Sequence, residues 1–142
     1  MKLVVDSSAF AKRYIEEEGS EDIDLLLQSA SDLALCIVLV PEVISGLNRC
    51  LREGFLSKRD YGKAKTQLIR DVHDATVIQL TPSVISHSVK LLENNALRAM
   101  DALHVACALE WPADLFATSD KRQLIAAKNA GLLSKFIGRP EN

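Results

Sequence analysis

Short apolar runs that stop at an acid or a proline alternate along this chain with longer stretches whose apolar residues recur every three or four positions. Leu3-Val4-Val5 ends at Asp6 and is followed by a helix-compatible stretch from Ala9 to Glu16. Ser20 to Ser29 predicts a second helix, with Ile23, Leu26 and Leu27 inward and Glu21, Asp22 and Asp24 near its start, where negative charge suits the helix dipole. Leu33 to Val40 is rich in strand formers and too short for an ordinary helix, so it reads as a buried strand. Pro41 is expected to open the next helix, because a first helical residue needs no N–H, and Val43, Ile44, Leu47 and Leu51 keep helical spacing as far as Gly54.

The alternation continues to the end. Ser57 caps a helix striped by Tyr61, Ala64, Leu68 and Val72, and Ala75 to Leu80 is a third strand. Thr81-Pro82 starts a helix reaching about Glu93, and Ala99 to Glu110 forms another that is apolar almost all round. Ala113 to Ala117 is a fourth strand, Lys121 to Ala130 a helix closed by Gly131, and Ser134 to Ile137 a fifth strand. Strands alternating with helices predict a parallel sheet covered on both faces, a three-layer α/β/α sandwich, as one domain over residues 1–142.

In open parallel sheets ligands bind beyond the carboxyl ends of the strands, and the residues placed there are acids. Asp6 ends the first strand, Glu42 follows the second across Pro41, and Asp120 follows the fourth after Thr118 and Ser119. Asp101 interrupts an otherwise apolar segment. Each acid also has a purely structural use. Asp6 and Asp101 suit helix caps, Glu42 suits a first turn, and Asp120 with Gln123 resembles a capping box. Four carboxylates gathered in one pocket resist ionising unless a cation joins them. An all-oxygen set favours Mg²⁺ or Mn²⁺, which can activate water and stabilise a phosphodiester under attack.

These residues resemble the PIN-domain nucleases, particularly the toxin components of VapBC-type toxin–antitoxin pairs. Val5-Asp6-Ser7-Ser8-Ala9 looks like the opening motif, Pro41-Glu42-Val43 like the second acid, Met100 to Ala106 like the third and Ala117-Thr118-Ser119-Asp120 like the fourth. The resemblance implies a sheet order of 3-2-1-4-5 and a Mg²⁺- or Mn²⁺-dependent endoribonuclease. Asp6, Glu42, Asp101 and Asp120 match its metal-binding acids, and Ser8 and Thr118 its supporting hydroxyls. It further implies a homodimer and a small antitoxin protein with a basic, arginine-bearing tail.

Charge and composition refine the picture. There are 17 Lys+Arg against 19 Asp+Glu, so an RNA substrate must be met by local rather than overall positive charge. Lys12, Arg13, Lys121 and Arg122 flank the first and fourth acids and are the candidates for RNA phosphates. Arg49, Arg52, Lys58, Arg59, Lys63, Lys65 and Arg70 concentrate charge on the helical hairpin, where they can guide the RNA backbone. Aromatics make up 5% of the chain, and Phe116 and Phe136 fall in predicted strands, so recognition should depend on RNA shape and backbone. His104 suits core packing better than support of an acid. The three cysteines sit in apolar stretches and are expected reduced. Met1 to Asp6 reaches a carboxylate too soon for a secretory leader, and no apolar run approaches the roughly 20 residues of a membrane span, so a cytoplasmic location is expected. Two other function classes fit an acidic strand edge: phosphoryl transfer through an aspartyl-phosphate on Asp6, and a non-catalytic module whose acidic cleft docks a basic peptide.

Overall fold

The computed structural model describes residues 1–139. Five strands, β1 (Lys2–Val5), β2 (Asp32–Cys36), β3 (Thr76–Ile78), β4 (Leu115–Thr118) and β5 (Ser134–Phe136), form one sheet of order β3-β2-β1-β4-β5. Every pairing is parallel. Central β1 has Leu3, Val4 and Val5 fully buried, because helices cover both faces of the sheet.

Side-chain alternation sorts the core into two halves. Leu3, Val5, Leu35 and Ala117 point to the layer containing α1 (Ser7–Phe10), α2 (Ser20–Ser29), α3 (Leu39–Arg52) and α4 (Lys58–His73). Val4, Ala34, Cys36 and Phe116 point to α5 (Pro82–Asn94), α6 (Ala99–Glu110) and α7 (Lys121–Asn129). The expected three-layer α/β/α sandwich is the observed one. No helix among the described residues is long and apolar enough to cross a membrane.

β3 is shorter than the expected Ala75 to Leu80 and β4 starts later than the expected Ala113, and larger departures from the sequence reading lie in three places. The stretch Ala9 to Glu16 is not one helix: α1 is a single turn capped by Asp6, followed by a 3₁₀ turn at Ala11–Arg13. The second strand stops at Cys36 instead of Val40, because α3 already begins at Leu39. Pro41 is therefore the third helical residue, where its missing N–H is still one of those without an intrahelical acceptor. Asp101 likewise sits in the first turn of α6, behind an N-cap at Arg98, and is not itself the cap.

The strand register decides where the chemistry sits. Val5 is level with Ala117, so Asp6, the first residue past β1, stands beside Thr118, the last residue of β4. The helix after β1 goes to one layer and the helix after β4 to the other, which opens a crevice at this point of the edge. The loop after the 3₁₀ turn closes one wall. Gly19 has φ +95°, and a Cβ there would lie 2.9 Å from the Gly138 backbone nitrogen. Gly19→Ala is expected to destabilise by more than about 1 kcal/mol through both strain and collision, read as a lower urea midpoint with an unchanged slope.

Candidate active site

Asp6 is the anchor. Its carboxyl is 1% exposed and caps α1 by accepting from the Ala9 N–H at 3.0 Å. The Ser8 hydroxyl donates to it at 2.7 Å and the Thr118 hydroxyl at 2.8 Å. Both hydroxyls are themselves aimed by backbone donors: Ser119 N–H to Ser8 Oγ and Asp120 N–H to Thr118 Oγ1, each 3.0 Å. Burial pushes the Asp6 carboxyl above its ordinary pKa, although the His104 charge and these hydrogen bonds pull it down.

Asp120 caps α7, its Oδ1 accepting from the N–H groups of Arg122 at 2.8 Å and Gln123 at 3.4 Å. The capping box expected with Gln123 is only half formed. The Gln123 side chain, 3% exposed, donates instead to Asp101 Oδ1 at 3.0 Å. Gln123 thus joins Asp101 on α6 to Asp120 on α7 through one residue, and its own Oε1 is buried without a hydrogen-bond partner. Asp101 supplies the reciprocal half of a box at its own helix by accepting from Arg98 N–H at 3.4 Å.

Glu42, in the first turn of α3, accepts from the Ser7 hydroxyl at 2.6 Å and from His104 Nε2. Burial pushes the Glu42 carboxyl up, but these two hydrogen bonds outweigh it and hold the acid below its usual range. Burial alone would make His104 less basic; the Glu42 hydrogen bond and the Asp6 charge reverse that and raise it. His104, read from sequence as a packing residue, is buried, yet it supports an acid. Ser7 and Glu42 both meet the same ring nitrogen, and Nδ1 has no partner, so the trio lacks the two-sided imidazole of a Ser-His-acid triad.

The four acids therefore lie on one edge, linked by shared neighbours. Thr118 joins Asp6 to Asp120, Gln123 joins Asp120 to Asp101, and the Ser7–His104 pair joins Glu42 to the Asp6 turn. Among the described residues, no three His, Cys, Asp or Glu side chains are grouped so that they could hold a metal ion, and of the four acids expected in one pocket only Asp101 and Asp120 line the adjoining cleft. Beside the acids is a cleft of about 700 Å³ lined by Ser8, Asp101, Ser119 and Asp120, with Lys12, Arg98, Lys121, Arg122 and Arg139 around it. Of the four bases singled out from sequence, Lys12, Lys121 and Arg122 line this cleft. Arg13 does not: one residue on in the 3₁₀ turn, it points away to Asp71, with Nε 2.8 Å from the carboxylate. Lys12 is partly committed to Glu17 and the Glu18 carbonyl, and Arg139 pairs with Glu18. Arg98 and Arg139 had no distinguishing signal in the sequence. Phe136 lines the cleft, unlike Phe116, which is wholly buried.

The Asp6 environment makes a signed prediction. A carboxyl whose folded pKa is raised costs stability once pH exceeds its unfolded value of about 3.9. Asp6→Asn should therefore raise the thermal midpoint in EDTA at pH 7 to 8, with the gain vanishing toward pH 4. Adding millimolar Mg²⁺ should raise the midpoint of the original chain more than that of the variant, as differential scanning fluorimetry would report.

The PIN domain family model matches residues 3–129. Ribonuclease VapC45 of Mycobacterium tuberculosis (strain CDC 1551 / Oshkosh) is 34% identical over 130 residues, 89% of this chain and 89% of that protein. Among solved structures, M. tuberculosis VapC20, a Sarcin-Ricin loop cleaving toxin, superposes with a TM-score of 0.67 and 17% identity, covering 97% of this chain and 99% of that one. A toxin-antitoxin complex from Klebsiella pneumoniae gives a TM-score of 0.66 at 13% identity over 86% of this chain and 89% of that chain. With its sheet order, its edge of acids and a match running through most of its length, the chain belongs to the PIN-domain family, in the VapC-type branch.

Proposed function

We propose that the chain is a Mg²⁺- or Mn²⁺-dependent endoribonuclease and the toxin of a toxin–antitoxin pair. The observation that carries this reading is the linked series Asp6–Thr118–Asp120–Gln123–Asp101 beside a cleft rimmed by cations. The ribonuclease name of its 34% identical relative supports the substrate class.

The donor set suits a hard cation. Every candidate ligand is a carboxylate, and Mg²⁺ commonly keeps several waters while using one or two carboxylates plus substrate phosphate, so the two carboxylates at the cleft are enough to seat it. Asp6 is a buried acid without a lysine or arginine partner among the described residues, the situation a nearby cation relieves. Asp101 and Asp120, which line the cleft, would hold the ion first, and Asp6 and Glu42 would join the set once ion and RNA draw the acids together. When bound, such an ion supplies Lewis acidity to a water and to the phosphate. The chain's own residues do the rest. Ser8 and Thr118 fix the Asp6 carboxylate, Gln123 sets the spacing of Asp101 and Asp120, and His104 with Ser7 keeps Glu42 ionised. Lys12, Arg98, Lys121 and Arg122 draw in the RNA backbone.

The aspartyl-phosphate alternative requires an accessible nucleophile. Asp6 is 1% exposed with both oxygens hydrogen-bonded, which disfavours it. The docking-module alternative predicts no turnover at all. The proposed partners are an antitoxin whose basic tail reaches the acids at the cleft and a second copy of the chain, in the cytoplasm. The Klebsiella relative is itself a toxin-antitoxin complex, which supports the first.

Cleavage of labelled RNA in Mg²⁺ or Mn²⁺, abolished by EDTA, is the direct test. Asp101→Asn and Asp120→Asn should each lower the rate about 100-fold or more, with far-ultraviolet circular dichroism unchanged. Full activity in both variants would remove the acids from the mechanism. Gln123→Leu should raise the Mg²⁺ concentration giving half-maximal rate by roughly 10-fold, since metal affinity depends on groups that orient the ligands.

A further inference from the structure

One exposed helix face lies outside the cleft and is not used by the chemistry above. On α4, Arg59, Lys63, Thr66 and Arg70 follow one another at spacings of four, three and four, which places them on one side of the helix. They extend about 16 Å along it at roughly 1.5 Å per residue. With Gly62 and Gln67 they line a depression of about 480 Å³. Among the described residues, none of the three cations has an ion-pair or hydrogen-bond partner. The helix's acid nearest the protein body, Asp71, is taken by Arg13 and by the Tyr14 hydroxyl at 2.7 Å. In a chain with a net charge of -2, an unneutralised row of this kind is a segregated positive surface.

Gly62 shapes the floor of this depression. A glycine inside a helix costs about 1 kcal/mol relative to alanine, and such a cost is ordinarily explained by close packing. Here a Cβ would meet nothing within 4 Å. The glycine leaves a low floor between long cationic side chains, the form that admits a polymer backbone close to the helix. No apolar side chain lines the depression, so it lacks the buried anchors on which protein partners depend.

We propose that this face of α4 is a second RNA-binding surface, which holds the phosphate backbone of a substrate too long to be contained in the cleft. The inference rests on RNA being the substrate, and it deepens that reading to a class: extended or folded RNA engaged at two places. A short oligonucleotide confined to the cleft gains nothing from α4.

The probe is a fluorescent 30-nucleotide RNA hairpin, titrated with the full chain in EDTA at several salt concentrations and followed by anisotropy. Arg59→Gln/Lys63→Gln/Arg70→Gln should weaken binding about 10-fold or more and reduce the slope of log affinity against log salt by about 2, for three lost phosphate contacts. A charge-matched control, Lys90→Gln/Lys128→Gln/Lys135→Gln, changes exposed bases elsewhere and should leave the slope unaltered. Gly62→Glu separates binding from folding. It should raise the thermal midpoint through better helix propensity while weakening RNA binding as the triple variant does.

Equal slopes for the two triple variants, no measurable RNA binding by the original chain, or competition by poly-glutamate as effective as by unlabelled RNA would overturn the proposal; the last would make an acidic protein the occupant. Mg²⁺-dependent cleavage is scored separately. Stripe-dependent binding without cleavage would defeat the nuclease reading alone, and cleavage with normal binding by the stripe variants would defeat this inference alone.

Discussion

A carboxyl group buried at the end of the central strand is the constraint from which the rest of this molecule can be understood. Asp6 is deprived of water, and its compensation comes from neutral donors: one backbone N–H and two hydroxyls, each hydroxyl directed by a further N–H from the turn after β4. Burying an acid this way is tolerable because both of its oxygens have hydrogen-bond donors. The same bonds hold the β1–α1 and β4–α7 turns together at the point where the chain leaves the sheet in opposite directions. Structural closure and candidate chemistry thus use the same atoms, and Asp6 and Asp120 are helix caps as well as candidate ligands. The two interpretations of each acid offered by the sequence are not rivals at these positions.

Much of the architecture was legible in the chain because period is a strong signal when both faces of a sheet are covered. Leu3-Val4-Val5 has no polar position because it faces helices on both sides, and α4 shows a clean stripe because only one side packs. The misread boundaries have local causes. The run from Leu33 to Val40 looks uniform to a strand reading, yet α3 is already under way at Leu39, two residues before the proline expected to start it. From Ala9 to Glu16 the residues favour a helix, but a tight 3₁₀ turn breaks the ladder after Phe10.

The candidate site was legible by position and less so by wiring. The acids announce themselves by following strands or by interrupting an apolar helix. Their connections do not, because Gln123 reaches Asp101 across 22 residues and His104 reaches Glu42 across 62. A glutamine three residues after a cap has a satisfactory local use, which conceals the longer-range one. The pairing of His104 with Glu42 was hidden for the same reason, since a histidine in an apolar helix is usually a packing residue. Arg13 shows the converse: adjacent to Lys12 in sequence, it faces another direction because the turn rotates it toward Asp71.

The helices that carry Asp101 and Asp120 cover the same face of the sheet and bring very small side chains to its core. Ala102, Ala106, Ala126 and Ala127 are wholly buried in one cluster with Cys107. Since one residue bridges the two acids, Gln123 donating its side-chain amide to Asp101 and its backbone N–H to Asp120, their separation follows how closely α6 and α7 approach in this alanine-rich core. Adding a methylene or two deep in that seam, far from solvent and from any substrate, would pry the carboxylates apart like jaws on a shared hinge. The spacing of the two candidate ligands is thus set by alanine packing, and drift at these interior positions would change it without altering one polar group.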